Sequence, residues 1–145
     1  MDELRLCLVT DRTQTRGREL AAVVGDCLAA GLPAVQVREK DLGAADLAFV
    51  CRRLRALTLD RQALLIVNDR VDVALAVGAD AVQRTSTSLP IVRLPVIAIG
   101  GITPERVREV LGAGARGVAA IAAILAADSP ADATRRFLEV LDRRA

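Results

Sequence analysis

The chain has 145 residues, a net charge of +2, 52% hydrophobic and only 1% aromatic residues, and no histidine. That length suits one domain with a core of Ala, Val, Leu and Ile, and a single domain over 1–145 is expected. The near-neutral charge and the lack of stacking rings exclude a nucleic-acid binder, and the absence of His excludes imidazole acid–base catalysis and His-type zinc sites.

No apolar run reaches membrane-spanning length. Asp2, Glu3 and Arg5 place charge where a secretory leader would begin its apolar run. Cys7, Cys27 and Cys51 are widely spaced and fall on apolar faces. Reduced, buried thiols in a cytoplasmic protein are therefore expected.

In chain order, residues 4–10 read as a strand ending at Asp11 and Arg12, followed by a polar loop over 13–17. Residues 18–30 carry Leu20, Val23, Val24, Cys27 and Leu28 at helical spacing, and Gly31 and Pro33 end that helix. Strand two is 34–37. Gly43 precedes a helix over 44–57, strand three is 64–67, and a short helix over 71–77 ends at Gly78. Strand four is 80–82, and strand five, 95–100, closes on Gly100 and Gly101. Thr103 and Pro104 then open a helix to about Leu111, Thr103 as N-cap and Pro104 at the first helical position. Strand six is 117–121, and an amphipathic helix over 130–141 aligns Phe137, Leu138 and Leu141.

Three times, at Gly31, Gly78 and Gly114, a helix-ending glycine leads into an apolar strand. Alternating strands and helices predict a parallel α/β sheet with helices over it, and continuous apolar strands are those buried on both faces. Ligands of such sheets bind at the carboxyl ends of the strands. One link is abnormal. The residues from Gln83 to Pro95 are barely enough for a right-handed crossover and include two prolines. Either the crossover is minimal, or strands four and five are not neighbours. Six strand–helix units also fall short of the eight of a full barrel.

The strand ends carry the chemistry. Lys40, the sole lysine, ends Ala34-Val-Gln-Val-Arg-Glu-Lys40, and Asn68, the sole asparagine, ends strand three. A compact ammonium does a different job from a guanidinium, which supplies every other basic side chain here. For Arg38 and Lys40 the plain alternative is a solvated charge pair with Glu39. For Asn68 and Asp69 it is a helix cap, with Asp69 capping the helix from Val71. Gly100 and Gly101 serve a tight turn or an anion cradle equally well. Asp11 and Arg12 read as an ion pair or rim residues, Arg84 as surface charge.

Five motifs, Leu8-Val-Thr-Asp-Arg12, Val35-Gln-Val-Arg-Glu-Lys40, the segment from Ile66 to Asp80, Ile97-Ala-Ile-Gly-Gly-Ile102 and the segment from Gly117 to Ile124, resemble thiamine-phosphate synthases and their thiazole tautomerase relatives, in family order. The resemblance implies a TIM-barrel-like (β/α) fold, here incomplete or tightened to about six units. It implies transfer of an aminopyrimidine from its pyrophosphate to thiazole phosphate, with Mg²⁺ as cofactor. By resemblance, Gln36, Arg38, Lys40 and Asn68 line the pyrimidine and pyrophosphate site, with Arg38, Lys40 and Asn68 as catalytic residues. Asp69 matches a magnesium ligand. Gly100, Gly101, Ala122 and Ala123 match the thiazole phosphate pocket.

The chain also departs from the family. Two strand–helix units are missing after Pro90, with a loop lysine and hydroxyl residues that contact pyrophosphate. Gln83 replaces a histidine, the second magnesium aspartate is lost within 84–87, and Ala122 replaces a serine. The alternative reading is therefore a degenerate homologue that binds phosphate ligands or serves as an interaction domain. A tautomerase is the weaker enzymatic reading, because its histidine would lie in the missing part. The two sheet edges left by a shortened barrel lead us to expect a homo-oligomer.

Overall fold

The computed structural model describes residues 4–83 and 97–142. Six parallel strands alternate with helices: β1 (Leu6–Val9), α1 (Leu20–Ala29), β2 (Ala34–Val37), α2 (Ala44–Asp60), β3 (Leu64–Asn68), α3 (Val71–Val77), β4 (Ala81–Gln83), β5 (Ile97–Ile99), α4 (Val107–Gly112), β6 (Gly117–Ala120), α5 (Ala122–Leu125) and α6 (Pro130–Asp142). Short 3₁₀ turns at Arg12–Gln14 and Pro104–Arg106 follow β1 and precede α4.

The sheet order is β4-β3-β2-β1-β6-β5. The last strand thus pairs with the first, as in a closed barrel, with Cys7 opposite Ala119 and Leu8 opposite Ala120. β4 and β5 lie at opposite edges, which decides between the two readings of the link. They are not sheet neighbours, and the strands form an incomplete TIM-like barrel. The abnormal junction near 84–95 lies outside the described residues.

Two apolar layers follow from the two faces of the strands. The helix-facing layer is the larger and includes Leu6, Leu8, Val35, Val37, Leu65, Val67 and Val118 with Leu54 and Phe137 from the helices. The inner layer is small: Cys7, Val9, Ala34, Ile66 and Ala119. Strands β1, β2 and β6 are buried throughout, as continuous apolar runs require. β4 and β5 are not: Ala81 and Gln83 are exposed and Ile99 is 57% exposed. Their sequences resemble the other strands, but among the described residues each has a strand neighbour on one side only.

Boundaries shift where side chains compete for backbone groups. α1 starts at Leu20 because the Glu19 carboxylate accepts the Ala22 N–H at 2.9 Å and caps the helix. α2 runs past Leu57 to Asp60. β4 starts one residue late, because the Asp80 carboxylate accepts the Leu65 N–H at 2.8 Å and pairs with Arg55 at 2.7 Å. Thr103 does precede Pro104, but the first turn is 3₁₀ and Thr103 makes no side-chain capping bond. At Gly117 a Cβ would sit 2.5 Å from the Leu4 carbonyl oxygen and 2.8 Å from that of Arg5. Only glycine lets β6 close this tightly on β1. No helix among the described residues is long and apolar enough to cross a membrane, and the three cysteines are buried and unbridged.

Candidate functional site

Because all six strands run the same way, their carboxyl ends share one rim. Two concavities open there. The first, of about 330 Å³, lies at the ends of β2 and β3 and is lined by Arg38, Glu39, Lys40, Asn68, Asp69 and Arg70 with Val37, Leu42 and Leu47. The second, of about 510 Å³, lies at the ends of β5 and β6 and is lined by residues 99–103 and 119–123 together with Gln14. β1 and its loop stand between them.

In the first cavity the polar groups are built from the strands outward. Gln36 is 7% exposed on the inner face, one layer below the cavity. Its Nε2 donates to Asn68 Oδ1 at 3.1 Å, and Asn68 Nδ2 donates to Asp69 Oδ2 at 2.8 Å. Gln36 therefore orients Asn68 from beneath instead of lining the cavity. Asp69 has φ 59, in the left-handed region, and its N–H bonds the Gln83 carbonyl at 2.8 Å. A non-glycine residue held there costs about 1–3 kcal/mol and is characteristic of functional turns. Asp69 does not cap α3. The N-cap is Arg70, without a side-chain capping bond.

Neither Arg38 nor Lys40 forms an ion pair among the described residues. The charge pair with Glu39 that the sequence allowed is made by Arg12, at 3.2 Å, and Arg12 also binds Asp41. Arg12 thus pairs across the loops, while Asp11 caps the turn that follows β1. The Thr13 hydroxyl and Gln14, which both donate to Asp11, hold its carboxyl below the usual value, and Arg38 adds a favourable charge. Arg38, Lys40, Asn68 and Asp69 thus share one cavity with Glu39 and Arg70, and among the described residues neither Arg38 nor Lys40 is in an ion pair, Arg38 feeling only the charge of Asp11.

The second cavity is built from backbone. Gly100 and Gly101 have φ 111 and 56, and a Cβ on either would meet nothing within 4 Å. The φ of Gly100 calls for glycine, that of Gly101 is the left-handed region that favours it, and open space lies above both. Ala122 and Ala123 begin α5, and the first amides of a helix have no intrahelical acceptor. Ile99, Ile102, Ala119 and Ile121 supply apolar walls, and Gln14 and Thr103 add polar side chains. The structure therefore groups Arg38, Lys40, Asn68 and Asp69 in one place and Gly100, Gly101, Ala122 and Ala123 in another. Sequence reasoning missed Thr10, which is fully buried and accepts the Arg38 N–H at 3.0 Å. A threonine directly after a buried strand was the available signal.

Magnesium bound through a substrate's phosphates needs only one or two protein carboxylates. Asp69 supplies one in the cation-lined cavity, and no group of three or more His, Cys, Asp or Glu forms a cage among the described residues. The donor set fits an ion brought in with a substrate's phosphates.

Comparison with known proteins gives a consistent result. The family model described as "Thiamine monophosphate synthase" matches residues 6–94 and 83–124. A Geobacter sulfurreducens protein provisionally named thiamine-phosphate synthase is 32% identical, covering 98% of this chain and 96% of that one. The thiamine-phosphate synthase of Archaeoglobus fulgidus is 31% identical, covering 98% and 95%. The Geobacter alignment spans 205 positions against 145 residues here, so at least 60 of its positions lie opposite a gap. Among solved structures, thiamine phosphate pyrophosphorylase from Pyrococcus furiosus superposes with a TM-score of 0.84 at 27% identity, covering 98% of this chain and 97% of that one.

Proposed function

Because this chain belongs to the thiamine monophosphate synthase family, we propose that it is a transferase of thiamine biosynthesis, joining an aminopyrimidine pyrophosphate to thiazole phosphate with release of pyrophosphate. The observation that carries the site assignment is the pair Arg38 and Lys40, cations outside any ion pair among the described residues, facing one cavity with Asn68 and Asp69.

In this reading the bond from the pyrimidine's methylene to pyrophosphate breaks and the thiazole takes the methylene. Negative charge grows on the departing phosphate oxygens. Arg38 and Lys40 meet that charge with no ion pair among the described residues to break first, which is what makes preorganised donors effective. Asn68, held by Gln36 beneath it, offers an amide whose orientation is fixed before substrate arrives. Asp69 would hold Mg²⁺, which supplies further neutralisation of the pyrophosphate. No base is needed, since the leaving group departs as a stabilised anion. This suits a chain without histidine.

The thiazole phosphate would sit over Gly100 and Gly101, with the amides of Ala122 and Ala123 as donors. Ala122 leaves that cradle to backbone groups. The two cavities flank the end of β1. Their centres are about three strand spacings apart around the sheet, roughly 14 Å. That separation suits two substrates lying end to end across the loop after β1.

A second reading, a phosphate-binding homologue without turnover, is favoured by one observation. β4 and β5 are sheet edges, so no strand among the described residues walls the site between them. The chain is taken as one domain in the cytoplasm, and association that covers the two edges is part of the same proposal. The deciding experiment incubates the full chain with both substrates and Mg²⁺. Thiamine phosphate formation is expected. Its absence, with calorimetric binding of either phosphate ligand retained, would support the non-catalytic reading instead.

A further inference from the structure

Lys40 is flanked in sequence by two acids, and one guanidinium binds both. The Glu39 side chain is 3% exposed, and its Oε2 accepts from the Arg12 backbone N–H and from Arg12 Nη1, each at 3.2 Å. Asp41, on the other side of Lys40, receives both terminal nitrogens of Arg12, with Nη1 at 2.7 Å from Oδ1. Glu39 Oε1 is buried without a hydrogen-bond partner among the described residues. A buried carboxylate satisfied on one oxygen only costs stability, so holding Glu39 in this place has no packing advantage to explain it.

Thr10, directly after β1, reaches the same loop at a second point. The Thr10 N–H donates to the Gln36 carbonyl at 2.9 Å, and Thr10 Oγ1 accepts the Arg38 N–H at 3.0 Å. The backbone that carries Arg38 and Lys40 is therefore held on both sides of each cation by Thr10 and Arg12, which follow β1. Arg12 itself does not line the Lys40 cavity. With both carboxylates on it, its guanidinium is not available as a direct anion ligand there.

We infer that Arg12 is a positioning residue for Lys40: by gripping Glu39 and Asp41 it fixes the turn between them and holds the ammonium at the anion pocket. The inference rests on the pyrophosphate reading of that pocket. Its physical basis is the fork of the guanidinium, which spans two carboxylates at once where an ammonium, a single point of charge, does not.

Positioning and plain electrostatics predict opposite signs at one residue. Asp41 is 63% exposed, so Asp41→Asn should fold normally. The substitution removes a negative charge beside an anion site, and charge alone would tighten pyrophosphate binding. Loss of the clamp would loosen Lys40 and weaken it. The experiment is calorimetric titration of the full chain with inorganic pyrophosphate and Mg²⁺, comparing the unaltered protein, Asp41→Asn, Arg12→Lys and Lys40→Met. Weakening by roughly tenfold in Asp41→Asn is expected, the equivalent of one lost charge-assisted hydrogen bond. Arg12→Lys should weaken binding in the same direction; if it fails to fold because Glu39 is stranded, Asp41→Asn decides alone. Unchanged or tighter binding in Asp41→Asn, with Lys40→Met weakened, overturns the positioning role and leaves the pocket assignment standing. No loss in Lys40→Met, or no binding by the unaltered protein, overturns the pocket assignment and this inference with it.

Discussion

The two ends of the site differ in what they are made of. At β2 and β3 the recognition groups are side chains: two cations outside any ion pair among the described residues, an amide held by another amide, and a carboxylate on a left-handed turn. At β5 and β6 they are backbone groups, opened by Gly100 and Gly101 and by the start of α5. The first end reads a ligand through charge and is sensitive to which atoms a side chain carries. The second reads through conformation and is sensitive to any side chain that forbids the backbone its shape.

The sharpest way to break this comparison is at the first end. Lys40→Met keeps the aliphatic stem and removes the charge. Turnover, measured as thiamine phosphate formed, should fall by about 10²-fold or more while thermal stability is unchanged. A loss below tenfold would move the charge-reading role elsewhere. The second end should respond differently. Gly100→Val forces a β-branched residue to φ 111, which costs about 1–3 kcal/mol and distorts the turn. Thiazole phosphate binding should weaken by roughly tenfold and pyrophosphate binding should not change. Equal effects on both ligands would mean that the cavities are one site energetically.

The smallest effect comes from a control away from both. Asp80 precedes β4 at the opposite end of the strands, ties β3 to α2, and touches neither cavity. Burial, the largest single influence on its carboxyl, raises the pKa, but the Leu65 amide and Arg55 together outweigh it and hold it below the usual 3.8. A carboxyl whose folded pKa is lowered stabilises the fold above its unfolded value, and that contribution is lost as pH falls through the folded one. Asp80→Asn should therefore cost roughly 1 kcal/mol near neutral pH. The gap in melting temperature from the unaltered protein should close as the pH falls below about 4. Ligand binding should be unaffected throughout.

Much of this was legible in order along the chain. Apolar runs ending in polar residues gave six strands, their parallel direction and the rim on which function sits, because a strand buried on both faces has only its ends for chemistry. The unusual Lys40 and Asn68 marked the first cavity, and Gly100 and Gly101 the second. Other features depended on partners far away in sequence. Arg12 binds residues about thirty positions on, Gln36 and Asn68 meet only through the β2–β3 register, and Gly117 is required by carbonyls at the other end of the chain.

What the sequence by itself determined is the set of elements: six strands, the helices that follow five of them among the described residues, and the residue types at each strand end. These follow from local periodicity and composition, which need no knowledge of neighbours. What only the tertiary structure decided is adjacency. β1 pairs with β6, so β4 and β5 become edges and lose the burial that their sequences would permit. Arg12 is given to Glu39 and Asp41, which leaves Lys40 outside any ion pair among the described residues. Strand order and ion pairing are choices among many distant partners of similar local character, and only the packed chain makes them.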